Sequence, residues 1–186
     1  MPDIKEPKKR TLFFAKQVDQ SSISELTKSI IEINEDDRML SKQAELLGFE
    51  YKPKPIKIYI DSYGGKVYQI LGLVSVIEKS ETEIHTICTG AAMSSGFIML
   101  ISGHKRFAYK HSTPLYHQIS GMAIGNMKDI QEKVEEMERL QNKLEEITLE
   151  KTKISSKKLK KIYKKKKDWY MTSEKALKLG VIDEII

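Results

Sequence analysis

The stretch "TICTGAAMSSGF", residues 86–97, passes from β-branched residues through a run of small ones to two adjacent serines and then into apolar sequence. With its flanks, "EIHTICT" before and "SSGFIMLIS" overlapping after, it reads as a buried strand, a turn opened by Gly90, and an apolar helix starting at Ser95. A serine on such a turn has two uses. It caps the helix, or its hydroxyl stands exposed beside helix N-terminal amides, ready to attack a carbonyl once a base removes its proton. Gly90, Ala91 and Ala92 allow close backbone approach ahead of the turn and Gly96 frees space behind it, with Ser94 on the turn itself and Ser95 in the first helical position.

Working outward, the preceding segment repeats the unit: "IKIYIDS" is a strand, Gly64 and Gly65 follow, and "KVYQILGLVSVIEKS" carries apolar residues at helical spacing. Earlier still, "TLFFAKQV" (11–18) reads as a first strand. It leads into "SSISELTKSIIEI", a helix capped by Ser21 or Ser22 with Ile23, Leu26, Ile30 and Ile33 on one face. Residues 34–55 turn charged and close on two prolines, which predicts a surface connection with a helical turn or more inside it. Strands alternating with helices predict an α/β fold of parallel βαβ units, buried on both faces, with function at the C-terminal strand ends.

Past "KRFAYKHSTPLYHQIS", two short strands broken near Ser112 to Pro114, Gly121 and Gly125 bracket a link. Residues 126–153 then set Ile130, Val134, Met137, Leu140, Leu144 and Ile147 along one stripe of a helix about 42 Å long. That outreaches one small domain, so part of the stripe is expected to meet another subunit. The chain closes with "TSEKALKLGVIDEII": Thr172 or Ser173 as cap, Gly180 just past the helix, and a terminal strand.

A chain of 186 residues fits one domain, 1–186, with a core of its own. Its lone cysteine, Cys88, lies in an apolar run and pairs with nothing internally, which suits core packing in a reducing compartment such as the cytoplasm. The charged start "MPDIKEPKKR" has no apolar signal segment, and no apolar run approaches the ~20 residues of a membrane span. The formal charge of +6 is concentrated in "SSKKLKKIYKKKK", residues 155–167. Without stacking aromatics or a groove-reading motif this reads as a solvated helix with Leu159 and Ile162 facing inward, and no nucleic-acid partner is expected.

No Cys/His cluster, acid pair or HExxH pattern suggests a metal, and no cofactor is expected. The glycines of "DSYGG" do not form a phosphate loop, since Ile60 stands where the pattern needs glycine. They either shape a tight turn or offer an oxyanion donor, Gly65 being the better placed. Among His85, His104, His111 and His117, the last follows a strand end, where a side chain reaches into a cleft. Asp168 interrupts a lysine run ahead of Trp169 and Tyr170, as a half-buried partner or a solvated loop carboxylate.

Spacing leaves those alternatives open, but the pieces "IYIDSYGG", "TICTGAAMSSGF", "KRF", "YHQ" and a "D" followed by "TSEKALKLGVID" stand in an order that resembles the Clp-type ATP-dependent protease proteolytic subunits, ClpP. The resemblance implies a ClpP/crotonase fold with a head (10–120 and 155–186) and a handle (about 121–154). It implies a serine endopeptidase with Ser94 as nucleophile, His117 as general base, Asp168 orienting that base, and the Gly65 and Ser95 amides as oxyanion hole. Residues Ile119, Ser120, Gly121 and Met122 would bind extended polypeptide substrate. Seven-membered rings, stacked as a tetradecamer through the handles, would enclose the sites, and an AAA+ unfoldase would feed them by docking at Tyr59, Ile87 and Phe107.

Departures from the family pattern are specific. "MSSG" and "HQI" replace the usual Ala-Ser-Met-Gly and His-Gln-Pro, so Met93 and Ile119 are expected to reshape the S1 pocket. Lys79 stands where a docking aromatic is expected, and the arm before Arg10 is short for axial loops. On the same fold, a crotonase-like acyl-CoA enzyme or a non-catalytic ring subunit is the competing reading.

Overall fold

The computed structural model describes residues 9–186. Residues 1–8, on which the expectations about a signal segment and axial loops bear, lie outside the described residues. A short strand β1 (Thr11–Phe14) is followed by helix α1 (Gln20–Leu46), whose capping residue is Asp19 and not Ser21 or Ser22. Asp19 accepts from the Ser22 amide at 2.8 Å while the Ser22 hydroxyl accepts from the Asp19 amide, so Ser22 supplies the far half of a capping box.

Helix α1 also runs thirteen residues beyond Ile33, through most of the expected connection. A buried carboxylate explains the extension. Asp37 accepts from Arg10 (2.8 Å), from the Thr82 hydroxyl (2.6 Å) and from the Tyr51 hydroxyl (2.6 Å). Burial works to raise its pKa, yet these bonds outweigh that effect and hold the carboxyl below its ordinary range.

The strand β2 (Ile56–Ser62), helix α2 (Val67–Lys79), strand β3 (Ile84–Met93) and helix α3 (Ser95–Ser102) form the two repeated units. Next come β4 (Lys105–Ala108), β5 (Thr113–Tyr116), helices α4 (Met127–Lys151) and α5 (Ser156–Lys165), β6 (Trp169–Tyr170), α6 (Ser173–Lys178) and β7 (Glu184–Ile185). One seven-stranded sheet results, ordered β1-β2-β3-β4-β7, with β5 joining the C-terminal half of β3 and β6 pairing β5. All pairings are parallel except β5 with β6.

Burial alternates strictly along β2: Ile56, Ile58 and Ile60 are buried, while Lys57, Tyr59 and Asp61 are not. Along β2 one face is buried and the other is not, which corrects the expectation of two buried faces for this strand; on the neighbouring β3, Ile87 is buried on that second face. Gly90 likewise does not open the turn. The strand β3 continues to Met93, and Gly90 is small because a Cβ there would stand 2.7 Å from the Asp61 carboxylate.

Helix α4 begins at an Asn126 cap and buries only its later stripe, Leu140, Leu144 and Ile147. Ile130 and Val134, earlier on the same stripe, are 39% and 44% exposed. Its base is tied to α2 by a hydrogen bond from Tyr68 to Glu136 and by a 2.8 Å ion pair between Lys151 and Glu78. Helix α5 does turn Leu159 and Ile162 inward, and Gly180 takes the left-handed conformation just past α6 (φ +64°). Cys88 is a buried core thiol, pushed up to about 11 by burial.

Candidate active site

Register brings the candidate residues together. The parallel ladder of β3 on β5 pairs Met93 with Leu115, so the next residue of one strand and the residues just past the end of the other share the sheet's C-terminal edge. The Ser94 amide donates to the Leu115 carbonyl at 3.1 Å, closing the ladder at that point. On the far side of β5, the antiparallel ladder pairs Tyr116 with Trp169, and one step further along it stand His117 and Asp168. Their nearest atoms, Nδ1 and Oδ1, are 3.6 Å apart.

Ser94 turns the chain from β3 into α3 with φ 55° and ψ −121°, a left-handed conformation that strains any residue with a Cβ. Its hydroxyl caps nothing, although it occupies the helix cap. The side chain is half-buried and lines a cleft of about 700 Å³ with His117, Asp61, Ser62, Gly64, Gly65 and Ser120. Ser95 differs in kind: it is buried, and its hydroxyl donates to the Gly65 carbonyl at 3.0 Å.

Two glycines hold the opposite wall. Gly64 presses against the serines so closely that a Cβ would stand 2.7 Å from the Ser94 Cβ and 2.9 Å from the Ser95 nitrogen. Gly65, at φ +149°, leaves no room either, because a Cβ would meet the Val18 carbonyl at 2.2 Å. The Gly64 carbonyl accepts from the Val18 amide at 2.8 Å, and Lys66 donates back to Val18 at 2.7 Å. The peptides on both sides of Gly65 are thus pinned, one by Val18 and one by the Ser95 hydroxyl. Of the two glycines, both candidates by sequence with Gly65 the better placed, Gly64 owes its role to its distance from Ser94, which has no local signature.

The remaining candidates separate. His104 accepts the Ile84 amide at 2.9 Å and His85 lies beside Phe107 on the sheet, while His111 is exposed on the turn before β5. None of the three lines the cleft. Asp168 is more exposed than half-buried, at 56% for its side chain against 27% for His117. Of the four substrate residues, Ser120 lines the cleft. Ile119 packs against the core with its amide donating to Gln141 of α4 at 2.8 Å, Gly121 lies against Met137, and Met122 is 82% exposed. Tyr59, Ile87 and Phe107 occupy facing positions on three adjacent strands, and Phe13 stacks on Tyr59 at 5.2 Å. Among the described residues no cluster of side chains suits a metal, and no helix is long and apolar enough to cross a membrane.

The C-terminal edge of this mostly parallel α/β sheet thus carries Ser94 and His117 on one cleft, with Asp168 beside the imidazole. The sequence pattern of the Clp protease family matches residues 7–186, and the chain belongs to that family. It is 33% identical over 146 residues to the ATP-dependent Clp protease proteolytic subunit of Deinococcus radiodurans, covering 77% of this chain and 71% of that protein. With the subunit of the same description from Bacteroides fragilis it shares 35% over 135 residues, 72% of this chain but only 64% of that one. A proteolytic subunit 1 from Prochlorococcus marinus is 34% identical over 148 residues, 77% of this chain and 74% of that protein. Membership supports a peptidase as the coarse class of activity.

Proposed function

We propose that this chain is a serine endopeptidase in which Ser94 attacks a peptide carbonyl, His117 acts as general base and then general acid, and Asp168 orients His117. The observation that carries the reading is the joint placement of Ser94 and His117 on one cleft with Asp168 3.6 Å behind the imidazole. That separation exceeds a hydrogen bond. Catalytic contacts are commonly long in the free enzyme and tighten when substrate is held.

In the reaction the Ser94 Oγ bonds to the carbonyl carbon as its proton passes to His117, and the tetrahedral oxyanion accepts from the Gly65 and Ser95 amides. Collapse returns the proton to the departing amine and leaves an acyl-enzyme. Water, deprotonated by the same imidazole, then attacks the ester and frees the acid. Helix α3 contributes beyond the single amide, because its N-terminal dipole end faces the developing negative charge.

The exposed Ile130 and Val134 support assembly through α4; we propose that it takes the form of rings of seven stacked as a tetradecamer, with 1–186 as one domain of head and handle. Names of relatives that include "ATP-dependent" support an ATPase as partner; we take it as a cytoplasmic AAA+ unfoldase docked at the row of Tyr59, Ile87 and Phe107, of which Ile87 is buried in the single chain. The segment from Ile119 to Met122 would pair with extended substrate as an added strand.

The test is a fluorogenic peptide assay on sized oligomer, comparing Ser94→Ala with Ser95→Ala and following fluorophosphonate capture by intact mass. Ser94→Ala is expected to abolish both cleavage and capture, while Ser95→Ala retains them. Equal residual activity in the two variants would overturn the assignment. Thioester turnover without fluorophosphonate capture would favour acyl-CoA chemistry, and a large ring with neither activity would favour a scaffold.

A further inference from the structure

Between 155 and 167 fall eight lysines and no carboxylate, more positive charge than the whole chain's formal excess of +6. Helix α5 sorts them. Leu159 and Ile162 face the core, while Lys157, Lys160, Lys161, Lys164 and Lys165 line one continuous outer surface together with Ser156. None of the eight lies within ion-pair distance of a carboxylate among the described residues. Glu138 and Glu145 of α4 share a groove with Lys160 and Lys164 without closing a pair. The Lys158 ammonium, partly covered and crowded by Lys175, Lys161 and Lys167, is held below its ordinary pKa.

Lys158 lies over the Trp169 ring at 4.4 Å, but the outer lysines carry self-repulsion with no ion pair to offset it, so their use is external. Its position says for what. The lysine run ends at Lys167, and the next residue is Asp168, 3.6 Å from His117. A segment bound toward the C-terminal end of α5 therefore lies next along the chain to Asp168, the residue beside His117.

We infer that the lysine face of α5 is an exosite for acidic polypeptide segments, giving this peptidase a preference for substrates whose scissile bond is flanked by a run of Asp or Glu. The inference rests on the peptidase reading above. From Lys157 to Lys165 the face extends about 12 Å, which an extended chain covers in about four residues. A short acidic run therefore satisfies the whole face.

The test uses one neutral fluorogenic peptide extended by four glutamates or by four glutamines. At low salt the full chain is expected to cleave the Glu-tailed peptide with kcat/KM about tenfold higher, mostly through KM, and to lose the difference near 0.5 M salt, where screening reaches within about 4–5 Å. A variant with Lys157, Lys160, Lys161, Lys164 and Lys165 all changed to Gln should cleave the Gln-tailed peptide as the parent does and show no preference. Equal rates for the two tails in the parent, or a preference that survives in the variant, would overturn the inference. Fluorescence anisotropy of the labelled Glu tail on Ser94→Ala protein reads binding without cleavage. Salt-sensitive binding that the five substitutions remove, together with a parent protein (Ser94 intact) that cleaves neither peptide, would sink the peptidase reading while upholding the acidic-segment site. Displacement of the tail by a single-stranded oligonucleotide at far lower concentration than by the peptide itself would reassign the face to nucleic acid.

Discussion

Gly64→Ala tests whether the site works by contact between its two walls. The added methyl would stand 2.6 Å from the Met93 carbonyl oxygen, 2.7 Å from the Ser94 Cβ and 2.9 Å from the Ser95 nitrogen. Carbon pairs rest at about 3.5–4.0 Å, so Ser94 must retreat by about 1 Å or the glycine turn must open by as much. A shift of about 1 Å at a reacting group costs about 100-fold in rate. Alanine at φ +99° adds about 1–2 kcal/mol of backbone strain, and overpacking adds about 1–3 kcal/mol. The sum, about 2–5 kcal/mol, lowers the melting temperature by about 5–20 °C in a chain of this size. Typical domain stabilities of about 5–15 kcal/mol leave the variant folded at 25 °C. The assay is kcat/KM on a short fluorogenic peptide beside thermal unfolding, with Gly72→Ala as control. A Cβ at Gly72, on the exposed face of helix α2, meets nothing within 4 Å and should stabilise by up to about 1 kcal/mol with activity unchanged. If Gly64→Ala keeps kcat/KM within about threefold of the parent, the argument from wall contact fails.

Asp168→Asn should lower kcat by about 100-fold or more with little change in KM, since the amide no longer favours the imidazolium that forms at His117; stopped-flow cleavage at saturating peptide checks it. Asp37→Ala should cost about 2–4 kcal/mol by stranding Arg10, Thr82 and Tyr51, seen in urea unfolding. Because the folded pKa of Asp37 lies below its unfolded value, its contribution is complete above about pH 4 and is lost as pH falls through the lower, folded value, so the parent's acid sensitivity should flatten there in the variant. Val134→Asp, on the exposed part of the α4 stripe, should leave the chain folded by circular dichroism while dissociating the oligomer in sedimentation velocity.

The periodic segments were legible because their burial is decided locally: Ile23, Leu26, Ile30 and Ile33 of α1 and Leu140, Leu144 and Ile147 of α4 face inward where helical spacing puts them. What sequence could not show was settled by distant partners. Helix α1 outlasts its apolar pattern because Asp37, which reads as surface charge, is buried under Arg10 and Thr82, 27 and 45 residues away. Its cap moved to Asp19 because three cap-competent residues lie close together and only geometry ranks them. The less covered sheet face had no signal because Phe13, Tyr59 and Phe107 look like core residues in sequence, whereas Phe13 is exposed and Tyr59 and Phe107 only partly buried. His117 and Asp168 meet through a β6 of only two residues, too short to carry any alternation.

The adjacent serines show how one dipeptide divides two tasks. A trans peptide points its carbonyl and its N–H in opposite directions, so the Val18 amide, by holding the Gly64 carbonyl, aims the Gly65 N–H the other way. The Ser95 hydroxyl holds the following carbonyl of Gly65, and the same turn that buries this hydroxyl forces Ser94 into its left-handed conformation. The strain at Ser94 and the pinning of Gly65 are therefore two ends of one arrangement. Losing the Ser95 hydroxyl removes one hydrogen bond, a net of about 0.5–1.5 kcal/mol, and so slows cleavage by about tenfold at most. Losing the Ser94 hydroxyl removes the attacking atom itself, which no rearrangement of its neighbour restores, because the Ser95 side chain faces the glycine carbonyl from inside the core.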